Sequence, residues 1–178
     1  MLAVLPALNS RWQEELGEAM GLGIGINSGV ARVGNTGTHR KFKYTPLGSA
    51  VNLANRMQGV TKQIKSPLVI TGATAAALDG EFATRRLCRA RVVNIFEPVD
   101  LYELAPQADA DWLALKNHYE EALSAFEERE FLLATRILGN LLESHPSDGP
   151  TLVLLSRAVA ALANEDEDFS PVWELREK

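Results

Sequence analysis

The sequence predicts an α+β fold, a sheet-and-helix part followed by a small all-α region, and three observations carry that expectation. Short runs at residues 22–27, 30–34 and 41–45 alternate apolar and polar side chains with a period of two, as half-buried strands do. Between them, Leu53, Met57, Val60 and Ile64 fall at i, i+4, i+7 and i+11, one stripe of a helix. After a polar, proline-containing stretch at residues 105–109 the alternation stops and only helical spacing remains. The expected division is therefore residues 1–105 and residues 110–178.

Residues 2–20 read as an amphipathic helix, with Leu5, Leu8, Trp12 and Leu16 near helical spacing and Gly21 just past its end. Such a stripe needs a sheet to pack on. Residues 22–27 and 30–34 read as two strands joined tightly through Ser28 and Gly29, and residues 41–45 as a third, ended by Pro46 and Gly48. Residues 49–64 form the striped helix, with Asn52 and Arg56 together on a neighbouring face. Residues 67–71 are a short buried strand, 72–78 an alanine-rich helix, and 82–95 and 99–104 a final pair of strands. Three helical stripes follow: Leu115, Tyr119, Ala122 and Phe126; Phe131, Ala134, Leu138 and Leu141; Leu152, Leu155, Val159 and Leu162. The short polar breaks between them predict antiparallel neighbours. The acidic run 165–168 is expected in solvent, and residues 169–175 are placed to dock back.

Composition bounds the function. At 178 residues with a net charge of −5, the chain has room for one domain and an appendage and has no global attraction for nucleic acid or anionic lipid. The basic runs 39–43 and 85–91 are its only dense positive stretches, and they lack the interleaved aromatics of a nucleic-acid face apart from Phe42 and Tyr44. A single cysteine, Cys88, allows no internal disulfide, and a reducing cytoplasm is the expected compartment. The apolar start, residues 1–8, lacks a basic flank and is broken by Pro6, and no stretch approaches the roughly 20 apolar residues of a spanning helix. No membrane contact by this chain is expected.

One ordered set of motifs carries chemistry. Gly23-Ile-Gly-Ile-Asn-Ser-Gly29, then Gly34-Asn-Thr-Gly37, then Tyr44-Thr-Pro-Leu-Gly-Ser-Ala-Val-Asn-Leu-Ala-Asn-Arg56 resembles the class III adenylate and guanylate cyclases. Members of that family show a G-I-H-x-G strand end, a G-x-x-G turn and Y-T-x-x-G-x-x-V-N-x-A-x-R entering a helix; here Asn27 stands where they carry His. The resemblance continues to the strand 99–104 and implies a ferredoxin-like cyclase sheet. It implies that Asn52 orients the ribose of the nucleotide and that Arg56 stabilises charge on the α-phosphate as the 3′-hydroxyl attacks. It also places Thr45 against the base, where threonine favours ATP over GTP. Taken as an isolated i, i+4 pair, Asn52 and Arg56 would read as ordinary surface residues. A guanidinium with fixed donors in a dry cleft is nevertheless what charge developing on phosphoryl oxygens requires.

The resemblance also has gaps. Its members bind two Mg²⁺ or Mn²⁺ ions through two aspartates that precede the matched segment, so the expectation is a truncated half-domain lacking the metal side and inactive alone. The lysine that holds the terminal phosphates in many members is replaced within Val92-Val-Asn-Ile95; Arg89 and Arg91 are the nearby candidates to substitute, against the plainer reading that they lie on a solvated strand face. Such cyclases work as head-to-tail dimers, which implies a homodimer or a complete cyclase subunit as partner, with ATP as substrate. The tail resembles a tetratricopeptide-type helix pair, read either as a module for a protein partner or as a cap on the sheet. The alternative function is a noncatalytic dimerisation or nucleotide-sensing module.

Overall fold

The computed structural model describes residues 1–38, 41–93, 95–105, 108–164 and 169–175. After a 3₁₀ turn at Leu2–Val4, helix α1 spans Leu5–Leu16, with Pro6 in its first turn, where its missing N–H costs nothing. It stops earlier than the pattern suggests. Gly17 takes the left-handed conformation (φ 75°) and returns its N–H to the Gln13 carbonyl. The Asn9 amide then holds Met20 from both sides, at 2.8 and 3.0 Å. The expected docking of this helix is not realised, because α1 buries none of its residues and Leu8, Trp12 and Leu16 stay exposed.

Strands β1 (Ile24–Ile26), β2 (Arg32–Thr38) and β3 (Lys41–Leu47) follow. The sequence suggests that the first two are tightly joined, but they belong to different sheets. β2 pairs antiparallel with β3 as a separate two-stranded hairpin, whereas β1 lies parallel to β4 (Leu68–Thr71). Ser28 and Gly29 carry the chain out of one sheet and into the other. Helix α2 covers Ser49–Ile64 and buries Met57, Val60 and Ile64, with Leu53 packed beside them, as the stripe predicts. A short helix, α3 (Gly72–Ala77), is capped by the Thr71 hydroxyl, which accepts from the Thr74 N–H.

Strands β5 (Thr84–Val92) and β6 (Val99–Leu104) complete the centre of a five-stranded sheet ordered β1-β4-β6-β5-β7. A bulge in β5 between Arg86 and Cys88 inserts Leu87 as an unpaired residue. The buried positions therefore run 85, then 87 and 88 together at the bulge, then 90 and 92. Burial pushes the Cys88 thiol up to about 12, so it stays protonated and inert.

Helices α4 (Ala110–Glu127), α5 (Phe131–Ser144) and α6 (Gly149–Asn164) pack as consecutive neighbours, and β7 (Trp173–Leu175) adds to the sheet parallel to β5. The first two stripes are inside as expected, with Phe131 partly buried. The third is corrected. α6 buries Pro150, Thr151, Leu154 and Ala158, while Leu152 and Val159 face solvent. α6 is apolar nearly all round, so its sequence offers two competing stripes, and contact with α2 and α5 selects the smaller-residue one. Residues 169–175 do dock back. Phe169 meets Phe126 and Phe131 edge to face at 5.2 and 4.9 Å, and Arg157 is sandwiched between the Phe126 and Trp173 rings at 4.9 Å from each. The acidic run 165–168 lies outside the described residues. One apolar cluster joins α2, the sheet and the tail helices.

Beside that cluster lies a buried arginine. Arg85 is 0% exposed and gives hydrogen bonds to Glu103 on β6 and to Asp148 at the start of α6, with its guanidinium 4.8 Å from the Tyr119 ring. Asp148 also accepts from the Thr151 N–H and hydroxyl, capping α6. Burial would raise the Asp148 carboxyl, but the hydrogen bonds and charge of Arg85 and the two bonds from Thr151 outweigh it and hold the carboxyl below its usual range.

Two outcomes follow from this geometry. Arg85→Met strands two half-desolvated carboxylates and should lower stability by about 3–5 kcal/mol in urea unfolding; an unchanged midpoint would remove the buried pair from the account. The depressed Asp148 pKa contributes stability that is complete above about pH 4, the ordinary aspartate range, and is lost as pH falls through the lower folded value. Asp148→Asn should flatten stability against pH in that acid window and leave the slope above it unchanged.

Candidate active site

The site grows out of the passage from β3 into α2. In the hairpin, Thr45 sits opposite Gly34 and is half-buried. Gly48 then turns the chain at φ 137°, a backbone that side-chain-bearing residues rarely adopt, and Ser49 opens the helix. α2 has no side-chain cap at its start; the Gly48 carbonyl accepts the Asn52 N–H at 3.1 Å as the first helical bond. Asn52 thus stands in the first turn and Arg56 one turn on, with Cβ atoms about 5–6 Å apart. Asn52 is exposed, and its carboxamide makes no hydrogen bond to another described residue; Arg56 is half-buried. The structure therefore puts the two on one helix face, with Thr45 three residues before the turn that starts that helix.

What fixes α2 is the close approach of β1. Gly23 and Gly25 face the helix, and a Cβ at Gly25 would overlap the backbone of Met57 and Gln58. Past the strand end, Asn27 donates to the Ala50 carbonyl at 2.9 Å and accepts from the Thr71 hydroxyl at 2.7 Å. The glycine alternation in the sequence marks close backbone approach, but which partner it approaches becomes visible only in three dimensions.

The basic runs do not converge on this site. Of residues 39–43, His39 and Arg40 lie outside the described residues, and Lys43 is exposed on the hairpin. In the run 85–91, Arg85 is buried in its carboxylate pair and Arg86 bridges Asp100 and Glu127 at 2.9 and 2.8 Å. Arg91, one of the two expected substitutes for the phosphate lysine, is bound to Glu174 and the Phe96 carbonyl. Arg89 is exposed. Sequence reasoning misses these partners because the acidic residues lie far along the chain, in α4, before α6 and in β7. Among the described residues, no three acidic, histidine or cysteine side chains gather in a way that could hold a metal ion.

Residues 1–94 match the family described as the adenylate and guanylate cyclase catalytic domain. The chain belongs to that family. Among relatives of the cyclase segment, the terminal-differentiation-specific adenylate cyclase of Dictyostelium discoideum is 32% identical over 156 residues, 77% of this chain and 7% of that protein. Adenylate cyclase 1 of Rhizobium meliloti is 31% identical over 81 residues, 46% of this chain and 12% of that protein. The chain thus spans only a small part of the curated relatives it matches. At 77% of the chain, the Dictyostelium match is longer than residues 1–105 and runs into the helical tail. The crystal structure of the adenylyl cyclase CyaB from P. aeruginosa superposes with a TM-score of 0.47 at 23% identity, covering 60% of this chain and 56% of that one. Among the described residues, no helix of this cyclase-family chain is long and apolar enough to cross a membrane.

The packing of β1 on α2 gives a direct test. Gly25→Ala should lower stability by about 1–3 kcal/mol through overpacking, read by thermal unfolding. The same change at Gly34, where an added Cβ meets nothing within 4 Å, should be nearly neutral. Equal effects at the two glycines would show that α2 is not held this way.

Proposed function

We propose that this chain supplies the nucleotide-orienting and transition-state side of an adenylate cyclase site, converting ATP to 3′,5′-cyclic AMP and pyrophosphate when the metal-binding carboxylates are provided by residues outside these 178. The placement of Asn52 and Arg56 on one face of α2, directly after the Thr45 strand, carries the reading. In the reaction the ribose 3′-hydroxyl gives up its proton to solvent as its oxygen forms a bond to the α-phosphorus, the bond to the bridging oxygen breaks, and pyrophosphate leaves. Negative charge builds on the α-phosphoryl oxygens, and the Arg56 guanidinium offers planar, permanently charged donors for it. The Asn52 carboxamide, exposed and uncommitted to another described residue, can both donate to and accept from a ribose hydroxyl. Thr45 offers one hydroxyl toward the base. The names of the Dictyostelium and Rhizobium relatives favour ATP over GTP.

In this reading residues 1–105 are the cyclase part, a half-domain of the complete catalytic fold, and residues 110–178 a helical appendage of tetratricopeptide-like spacing. The family resemblance assigns Mg²⁺ or Mn²⁺ to the other half. A partner contributing that half, another copy in a longer form or a complete cyclase subunit, completes the site.

Purified chain with ATP and Mg²⁺ should form no cyclic AMP. Adding a cyclase subunit that retains its metal carboxylates but has lost its own Asn/Arg pair should restore turnover. Arg56→Ala in this chain should then cut the restored rate by about 10²–10³. Turnover by the chain alone would overturn the half-site assignment, and a silent mixture would favour a noncatalytic dimerisation or nucleotide-sensing module.

A further inference from the structure

Asn27 reaches the first turn of α2, a helix that starts without a side-chain cap. Its Nδ2 donates to the carbonyl of Ala50, in the first turn, at 2.9 Å, and its Oδ1 accepts from the Thr71 hydroxyl at 2.7 Å. The two partners fix which way the amide points: turned over, it would set its oxygen against the Ala50 carbonyl oxygen. Thr71 is itself anchored, 2% exposed at the end of β4 and engaged with Thr74 across the start of α3. The Thr74 hydroxyl in turn reaches the Ile26 carbonyl at 3.5 Å. The carboxamide therefore ties the first turn of α2 to the ends of two paired strands. About two turns further on, the absence of a Cβ at Gly25 lets the backbone of Met57 and Gln58 rest on β1. Asn52 and Arg56 lie between these two attachments.

We propose that Asn27 is a positioning residue for the cyclisation reaction, its carboxamide setting the height of the first turn of α2 and hence the place of Asn52 and Arg56. This rests on the assignment of that pair to the nucleotide. The carboxamide touches no substrate in this arrangement; it acts through the Ala50 carbonyl. The requirement on position 27 is one donor toward a carbonyl and one acceptor toward a hydroxyl. A neutral imidazole meets it and a carboxylate does not.

Three variants of the full chain separate positioning from general stability. Asn27→Asp keeps the acceptor for Thr71 but sets a carboxylate oxygen against the Ala50 carbonyl. Asn27→His restores a donor and an acceptor. Tyr119→Phe removes the hydroxyl that donates to the Leu87 carbonyl at 2.8 Å, away from the first turn of α2, and serves as the control for stability loss. Hydrogen exchange on the chain alone should show the amides of residues 52–57 at least tenfold less protected in Asn27→Asp, near-normal in Asn27→His, and unaffected beyond the global change in Tyr119→Phe. In the mixture with the pair-deficient cyclase subunit, Asn27→Asp should lower kcat for ATP by about 10–100-fold with little change in KM, because a misplaced transition-state group costs rate more than binding. Unchanged protection of residues 52–57 in Asn27→Asp, or the same loss in Tyr119→Phe, would overturn the positioning role whatever the activity. Lost protection together with an inert Arg56→Ala would instead refute the assignment of the pair, so the two failures are distinguishable.

Discussion

Arg85 is the residue on which the arrangement of the molecule turns. A guanidinium with no solvent exposure is a heavy desolvation cost unless every donor finds an acceptor, and here Nε and both terminal nitrogens are bonded to Glu103 and Asp148. Its charge is kept despite burial: desolvation would lower its pKa, but the hydrogen bond to Asp148 and the two carboxylate charges raise it further. The three groups come from β5, from β6 and from the loop before α6, so the pairing holds only when the tail is seated on the sheet. The same buried pair that would cost free energy if separated thus specifies where α6 begins.

That specification reaches α2, the helix of the candidate site, from behind. α2 ends at Lys65, which adopts a left-handed conformation (φ 58°), and Ser66 follows with its hydroxyl on the other oxygen of Glu103 at 2.9 Å. Gly149, the first residue of α6, is packed so closely on Lys65 that a Cβ would collide with the Lys65 carbonyl and side chain. The C-terminal end of α2 is therefore held by the network around Arg85, its middle by Gly25, and its first turn by Asn27. A helix with no side-chain cap of its own is placed entirely by its neighbours. The tail, though remote in sequence from Asn52 and Arg56, is mechanically one step from them.

How much of this the sequence discloses depends on how local the cause is. The helix over residues 49–64 is legible because its periodicity has one interpretation, and the structure reproduces its bounds and those of the strand read over residues 99–104. Asn52, Arg56 and Thr45 can be singled out because they belong to a contiguous motif whose spacing is itself informative. The separation of β1 from β2 is not legible, since a Ser-Gly pair between two alternating runs has the appearance of a tight turn. Nor is the inward face of α6, where apolar residues surround the helix and only the shape of α2 and α5 decides. The arginine run 85–91 misleads for a third reason. Charge on a strand reads as solvation when its partners, Asp148 63 residues on from Arg85 and Glu174 83 residues on from Arg91, cannot be seen.

The fate of those arginines bears on where a polyphosphate would find its counter-charge. The β5 cations Arg85, Arg86 and Arg91 are each matched by a carboxylate of the tail or of β6, at 2.9 Å or less. A guanidinium whose charge is already offset by a carboxylate at that range attracts a phosphate less, so these three contribute little local attraction. The cations on the hairpin and α2 side include Arg32 and Lys43, on the strands that deliver Thr45, and Arg56 itself. In the proposed reading, counter-charge for a phosphate comes from the hairpin, from α2 and from Arg89, the exposed cation of the β5 run.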